Sequence, residues 1–303
     1  MPRFRVLAWN IRAGGGRRAA ALVPAMLELA PDAIILSEFR GTAPSQQIAH
    51  ALRSSGFTHQ RTTASPKYPR RNSLLITTRT PMRRVSLSHA PAEPGRWLLV
   101  RLKDPGLTLG GMHIPNQHTG RKPQFHDAIT DIMNRWRGGP AIFAGDTNSG
   151  RQGVDEQTQV FNRRTSEWFD TIKAYGWHDA YRVIYPEEHS DEATFTWFSP
   201  GHDNGFRLDQ AFLSPHFAPQ CHADLRHNNE HTRANAPMVQ ARPTADRDRS
   251  NASNSVHEGN LDRTTAPSIH FEHRWLRDPG SPSRRDGLSD HAALLLDVAL
   301  PPS

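Results

Sequence analysis

The chain has 303 residues, with 37 Lys and Arg against 30 Asp and Glu, a formal charge of +7, 36% hydrophobic residues and 24 prolines. Its single cysteine, Cys221, excludes an internal disulfide and a cysteine-rich zinc knuckle and makes a reducing, cytoplasmic setting the expectation. No run approaches the roughly 18 apolar residues of a spanning helix, so no membrane partner is expected, and the positive charge favours a polyanion, nucleic acid first, without identifying it.

FRVLAWN (4–10) reads as a buried strand running into the glycine-rich turn Gly14–Gly16. A helix over about 19–30 follows, with Leu22, Met26 and Leu29 on one face and Pro31 as its stop. AIILSE (33–38) is a second buried strand, and a helix is expected near 44–54. Strand-like runs then dominate at 73–78, 96–102 and 107–114, before a helix over about 123–136 and the strand AIFAGD (141–146). SEWFDTIKAYG (166–176) places Trp168, Ile172 and Tyr175 at helical spacing and closes on Gly176. ATFTWF (193–198), FRLDQAFL (206–213) and HAALLLDVAL (291–300) complete the strands. The pattern is that of an α/β fold with sheets covered by helices.

Residues 228–268 contain no Phe, Tyr or Trp and few large apolar side chains, too little apolar surface to build a core. We read 1–303 as one domain, a monomer, in which 222–286 is a largely disordered polar insertion, with HFEHRWL (270–276) the segment suited to dock back. Ten Arg stand against nine Asp and Glu between 216 and 286, so most of the excess positive charge belongs to the body.

Polar residues close or open the apolar strands: Asn10, Glu38, His113, Asp146 with Asn148, Asp209, and Asp290 with His291. Strand ends in an α/β core deliver side chains to one edge. Taken singly each has a plain reading as a turn former or cap; together they make a chemical set. Glu38 with the amide oxygen of Asn10 is a hard-oxygen site suited to Mg²⁺ or Mn²⁺. Asp146 suits activation of a water and His291 donation to a phosphate oxygen. Arg70, Arg71 and Asn72 before the 73–78 strand are candidates to touch a nucleic-acid backbone. Gly14–Gly16 with Arg17 and Arg18 is a weaker candidate for holding phosphate through backbone N–H groups, since it lacks the P-loop ending.

The order WN, SEF, MH, GDTN, RLD, SDH resembles the endonuclease/exonuclease/phosphatase superfamily over about 4–215 and 287–300. Within it the likeness is greatest to the exonuclease III type of AP endonuclease, carried by SLLITTRTPM, MHIPN, SEWFDTIKAYGWHDAYR and TFTWFSPGHDNGFRLDQAFLS. The resemblance implies a four-layered α/β sandwich, two mixed β-sheets packed face to face and flanked by helices. It also implies a Mg²⁺- or Mn²⁺-dependent phosphodiesterase acting on the DNA backbone by in-line attack of an activated water. Asn10 and Glu38 would hold the metal side, with Asp290 a further candidate ligand. Asp146 would activate water, Asn148 contact the phosphate, Asp209 orient the site with Arg207 as buttress, and Asp290 polarise His291. His113 falls where these enzymes carry tyrosine or histidine.

The chain departs from that type at WNIRAGGGRR and at Phe39-Arg40 after the glutamate, which bears on substrate choice. Phe195, Trp197, Phe206 and Leu208 flank the RLD strand and suit either a pocket for an extruded abasic sugar or plain core packing. Two other functions stay open: a phosphatase or phosphodiesterase on a small or lipid headgroup ester, and a catalytically silent nucleic-acid-binding module.

Overall fold

The computed structural model describes residues 3–185, 195–200, 204–217, 269–276 and 287–300. With strands numbered along the chain, one six-stranded sheet holds β1 (Arg3–Asn10), β2 (Ala33–Phe39), β3 (His59–Thr62), β4 (Ser73–Thr78), β13 (Ile269–Arg274) and β14 (Ala293–Ala299), in the order β13-β14-β1-β2-β4-β3. The other holds β5 (Met82–Val85), β6 (Trp97–Leu102), β7 (Thr108–His113), β8 (Ala141–Asp146), β9 (His178–Asp179) and β12 (Asp209–Leu213), in the order β5-β6-β7-β8-β12-β9. A short ribbon, β10 (Trp197–Phe198) with β11 (Gly205–Phe206), stands beside them. Parallel pairs β1–β2 and β7–β8 lie among antiparallel neighbours, so both sheets are mixed.

The two-residue period of a strand explains the layering. Val6, Ala8, Ile35 and Ile76 from the first sheet pack against Leu98, Val100, Ile142, Ala144 and Ala211 from the second. Their neighbours Leu7, Trp9, Ile34 and Leu36 face outward onto α1 (Ala19–Glu28) and α2 (Ala43–Ser54) through Leu22, Met26, Ile48 and Leu52. Leu99, Met112, Phe143 and Phe212 do the same for α3 (Lys122–Asn134) and α4 (Arg163–Ala174). Strands buried on both faces read as continuous apolar runs, and the result is the expected sandwich of two sheets between two helical layers.

Five details differ from the sequence reading. The edge strands β3 (HQRT) and β5 (MRRV) carry no apolar run, because an edge needs only one covered face and charged residues protect it from further pairing. The short helix α5 (Ala180–Ile184) closes the second sheet. The helix expected at 166 begins at Arg163, where Asn162 Oδ1 accepts from Thr165 N at 3.1 Å and caps it. FRLDQAFL is two strands, broken where Arg207 turns inward to Asp155 and Asp179. Within the insertion expected at 222–286, residues 269–274 are an edge strand paired with β14, because Ile269 and Phe271 alternate into the inter-sheet core. Residues 218–268 and 277–286 lie outside the described residues. No helix among the described residues is long and apolar enough to cross a membrane.

Candidate active site

The alternation that builds the inter-sheet core also places polar groups at its mouth. Asn10 continues the inward face of Val6 and Ala8, Asp146 that of Ile142 and Ala144, and Asp209 that of Ala211. Strand register then sets them side by side: Asp146 pairs with His113 of β7 on one flank and with Asp209 of β12 on the other. Gly145, at φ 144°, permits this approach, since a Cβ there would meet the Met112 carbonyl oxygen at 2.1 Å. Because β14 runs antiparallel to β1, the segment entering it brings His291 to the end of β1. Trp9 Nε1 donates to the His291 carbonyl at 2.9 Å and Ser289 Oγ to that of Asn10 at 2.6 Å, which fixes this joint between the strands.

Asp146 is buried at the centre. Its Oδ1 accepts from Asn148 N at 2.9 Å and its Oδ2 from Asn10 Nδ2 at 3.0 Å, with His113 Nε2 at 3.5 Å and His291 Nε2 at 3.9 Å. Burial pushes its carboxyl up to about 6, with Asp209 adding to the rise and His291, Asn148 and Asn10 opposing it. His291 is the reverse case: burial disfavours its charge, yet the Asp209 and Asp146 carboxylates raise it to about 10, so it stands as imidazolium at neutral pH. Its Nδ1 donates to Asp209 Oδ2 at 2.8 Å. Burial, with Arg96 and His291 nearby, holds His113 well below the ordinary histidine range, as neutral imidazole.

The expected partner of His291 is thus corrected. Asp209, not Asp290, lies on Nδ1, because β12 runs beside β8 and delivers Asp209 level with Asp146, whereas the half-exposed Asp290 turns outward to Arg12 Nε at 3.6 Å. Asp209 itself is held at a built corner: Thr196 Oγ1 accepts from the N–H groups of Leu208 and Asp209 at 2.9 and 3.0 Å. Arg207, fully buried, is paired with Asp155 and Asp179.

Glu38 sits at φ 54° in the left-handed region, with its Oε2 accepting from Ala13 N at 2.6 Å. The Gly14 N–H donates to the Glu38 carbonyl and that of Gly15 to Arg12. The N–H of Ala13 is thus committed to the Glu38 carboxylate and those of Gly14 and Gly15 to backbone carbonyls, so these three donors are not free for a substrate phosphate. Glu38 Oε1 has no protein partner among the described residues, and Asn10 Oδ1 accepts only from Arg12 N, at 2.9 Å. Asp146, Asp209 and His291 each offer a ligand atom, all within 4.8 Å of one another, a group that could hold a metal ion.

Trp197, Phe206 and Leu208 line a cavity of about 780 Å³ beside this cluster, together with Asn148, Asn116, Lys122 and Phe161. Phe195, expected with them, is instead buried beneath Gly205. Arg71 and Asn72 line a polar cleft of about 800 Å³ with Arg84, Arg96 and Arg121. Arg71 lies 4.1 Å over the Tyr68 ring, Asn72 accepts from Arg40, and Arg70 is exposed on the same loop.

The sequence profile of the Endonuclease/Exonuclease/phosphatase family matches residues 7–291. The chain belongs to that family. The fold is similar to that of the 3′ phosphatase NExo from Neisseria bound to product DNA hairpin (TM-score 0.65, 16% identity, covering 98% of this chain and 99% of the other). It is also similar to an AP endonuclease from Archaeoglobus fulgidus (0.64, 14%, covering 97% and 98%) and to TDP2 from Caenorhabditis elegans (0.55, 15%, covering 98% and 74%). Comparison with curated protein sequences gives no match.

Within this family member, two buried groups next to the site escaped the sequence reading. Lys122 Nζ donates to the Asn148 carbonyl, and His126, one turn on, meets Ser149 Oγ at 2.9 Å while stacking on Trp168 at 4.1 Å. The available signal was a Lys and a His at i and i+4 on the helix face that also carries Ile129 and Met133.

Proposed function

We propose that this endonuclease/exonuclease/phosphatase family member is a divalent-metal-dependent phosphodiesterase that hydrolyses the DNA backbone, at abasic sites or from 3′ ends. The observation that carries the reading is the pairing of a buried carboxylate, Asp146, with a buried imidazolium, His291, joined through Asn148 to an apolar cavity. Asp146 takes the proton of a water that attacks phosphorus as the bond to the leaving oxygen breaks. His291 and Asn148 donate to the non-bridging oxygens as their charge grows, and Asp209 holds the imidazole ring in place. His113, neutral, orients the Asp146 carboxylate from the β7 side.

Glu38 Oε1, without a protein partner among the described residues, and Asn10 Oδ1, which accepts a single bond from Arg12 N, are hard-oxygen donors that fit Mg²⁺ or Mn²⁺, which would supply charge neutralisation at the phosphate. Asp290, aimed at Arg12, is the less suited third donor. The atoms of the Asp209–His291 pair already bond to each other, which favours Glu38 over that pair as the main ligand. DNA as substrate is supported by the basic body, by the cleft lined by Arg71, Arg96 and Arg121 and by the likeness to a 3′ phosphatase bound to a DNA hairpin and to an AP endonuclease.

The test is cleavage of end-labelled abasic duplex, intact duplex and single strand with Mg²⁺, Mn²⁺ or EDTA, beside Asp146→Asn. Metal-dependent cutting lost in the variant is expected. Hydrolysis of a small phosphodiester alone moves the protein to the small-ester reading, and binding without any hydrolysis to the silent-module reading.

A further inference from the structure

Lys122 is 6% exposed, lines the cavity beside the catalytic cluster, and has no carboxylate within ion-pair distance among the described residues. Its ammonium donates to one acceptor, the carbonyl of Asn148. A buried cation without a counter-charge is unfavourable unless neighbouring groups make use of it, and the geometry around Asn148 shows what uses this one.

Asn148 stands at φ 46°, a left-handed conformation that is uncommon outside glycine. Three contacts hold it there: its N–H donates to Asp146, its side-chain amide to the Ile114 carbonyl at 2.9 Å, and its carbonyl accepts from Lys122. The first two belong to β8 and to the segment after β7; Lys122 alone ties Asn148 to α3. His126 secures the next residue, Ser149, from the same helix. Helix α3 therefore grips both residues after the Asp-Thr corner.

We propose that Lys122 is a positioning residue for phosphate recognition: by holding the Asn148 carbonyl it fixes the Asn148 amide toward the phosphate and places a positive charge behind it. The inference rests on the phosphodiesterase reading. Burial lowers the Lys122 ammonium to about 8, with Asp146 favouring its charged form, so most molecules carry that charge at neutral pH. Arginine would keep the charge and a donor, whereas methionine would keep only the stem.

The experiment measures kcat and KM on abasic duplex for the wild type, K122M, K122R, N148A and the K122M/N148A pair. A positioning role predicts a kcat loss of about 10- to 100-fold in K122M with KM little changed, substantial recovery in K122R, and a double variant no worse than N148A. Additive losses in the double variant, or wild-type kcat in K122M, overturn it. If K122M does not fold, K122Q, which can donate but carries no charge, takes its place in the same cycle. If the wild type cleaves nothing, the phosphodiesterase reading has failed, and the positioning of Asn148 is judged by its side-chain amide signal in ¹H–¹⁵N spectra, assigned through N148A. A signal unmoved in K122M, or in K122Q where K122M does not fold, overturns it.

Discussion

His291 Nδ1 and Asp209 Oδ2 lie 2.8 Å apart across 82 residues of sequence, whereas Asp290, the nearest carboxylate along the chain, faces Arg12. An imidazole held on one nitrogen by a buried carboxylate keeps its ring orientation and its charge. D209N is therefore expected to reduce kcat by about 100-fold or more, while D290N changes it less than about threefold. Steady-state rates on the abasic duplex measure both; equal losses would return the orienting role to Asp290.

Much of this was legible in the sequence, for a stated reason. Strands buried on both faces are continuous apolar runs, and a polar residue at the end or start of such a run is conspicuous; Asn10, Glu38, His113 and Asp146 close their runs and His291 opens one. Pairings between distant strands do not. Nothing local in SDH says that its partner comes from RLD, and nothing in KPQFHDA says that Lys122 and His126 turn toward the corner after Asp146. The edge strands β3 and β5 were illegible because their charged residues carry the signature of a loop. Ile269 and Phe271 show the opposite case, two alternating apolar residues that build a strand beside a stretch too polar for a core.

Asp146 carries an unfavourable burden for the fold. Its folded pKa, raised to about 6 mainly by burial, exceeds the unfolded value of about 4, so whatever this carboxyl contributes is fullest below the unfolded value and is lost as pH rises through the folded one. At pH 7.5 in metal-free buffer, D146N should be no less stable than the wild type and up to about 3 kcal/mol more so, while cleavage falls by about 1,000-fold. Denaturant midpoints beside single-turnover rates test the combination; a destabilised D146N would show that the carboxylate serves the fold.

His126 makes stability depend on mild acid. Burial, with Lys122 and Arg164, lowers it to about 3, and Ser149 Oγ, which donates to Thr147, accepts from its Nε2–H. Because the unfolded imidazole titrates near 6.5, the unfolded state binds a proton between about pH 6.5 and 3 that the native state does not. Stability is unaffected by this group above 6.5 and falls below it, by about 2 kcal/mol at pH 5. His273, held near 4 by burial, adds to the same slope. Melting temperatures at pH 7.5, 6 and 5 should drop more steeply for the wild type than for H126Q; parallel curves would mean that His126 is not buried as neutral imidazole.

Glu38 is expected to govern the metal requirement. E38Q keeps the acceptor for the Ala13 N–H but removes a charge from the hard-oxygen site, so the Mg²⁺ concentration for half-maximal activity should rise by about tenfold or more, with partial recovery in Mn²⁺. D209N should leave that concentration within about threefold even as kcat falls. If instead D209N shifts the metal requirement and E38Q does not, the ion belongs to the Asp146–Asp209–His291 group.

The proposed nuclease function makes the cavity beside the centre the candidate selector of substrate. Phe206 is 6% exposed and packs against Phe161 at 5.6 Å and Trp197 at 5.7 Å, so F206A would remove core as well as pocket and cost about 3–5 kcal/mol. F206L keeps most of the volume and removes the flat ring face, and W197L does the same at a half-buried position on the rim. If the cavity receives an extruded sugar, both variants should lower kcat/KM on abasic duplex by about tenfold while leaving hydrolysis of a short phosphodiester within about twofold. Equal losses on both substrates would assign the ring cluster to packing of the β10–β11 ribbon, which touches the centre through the backbone pairing of Trp197 with His291.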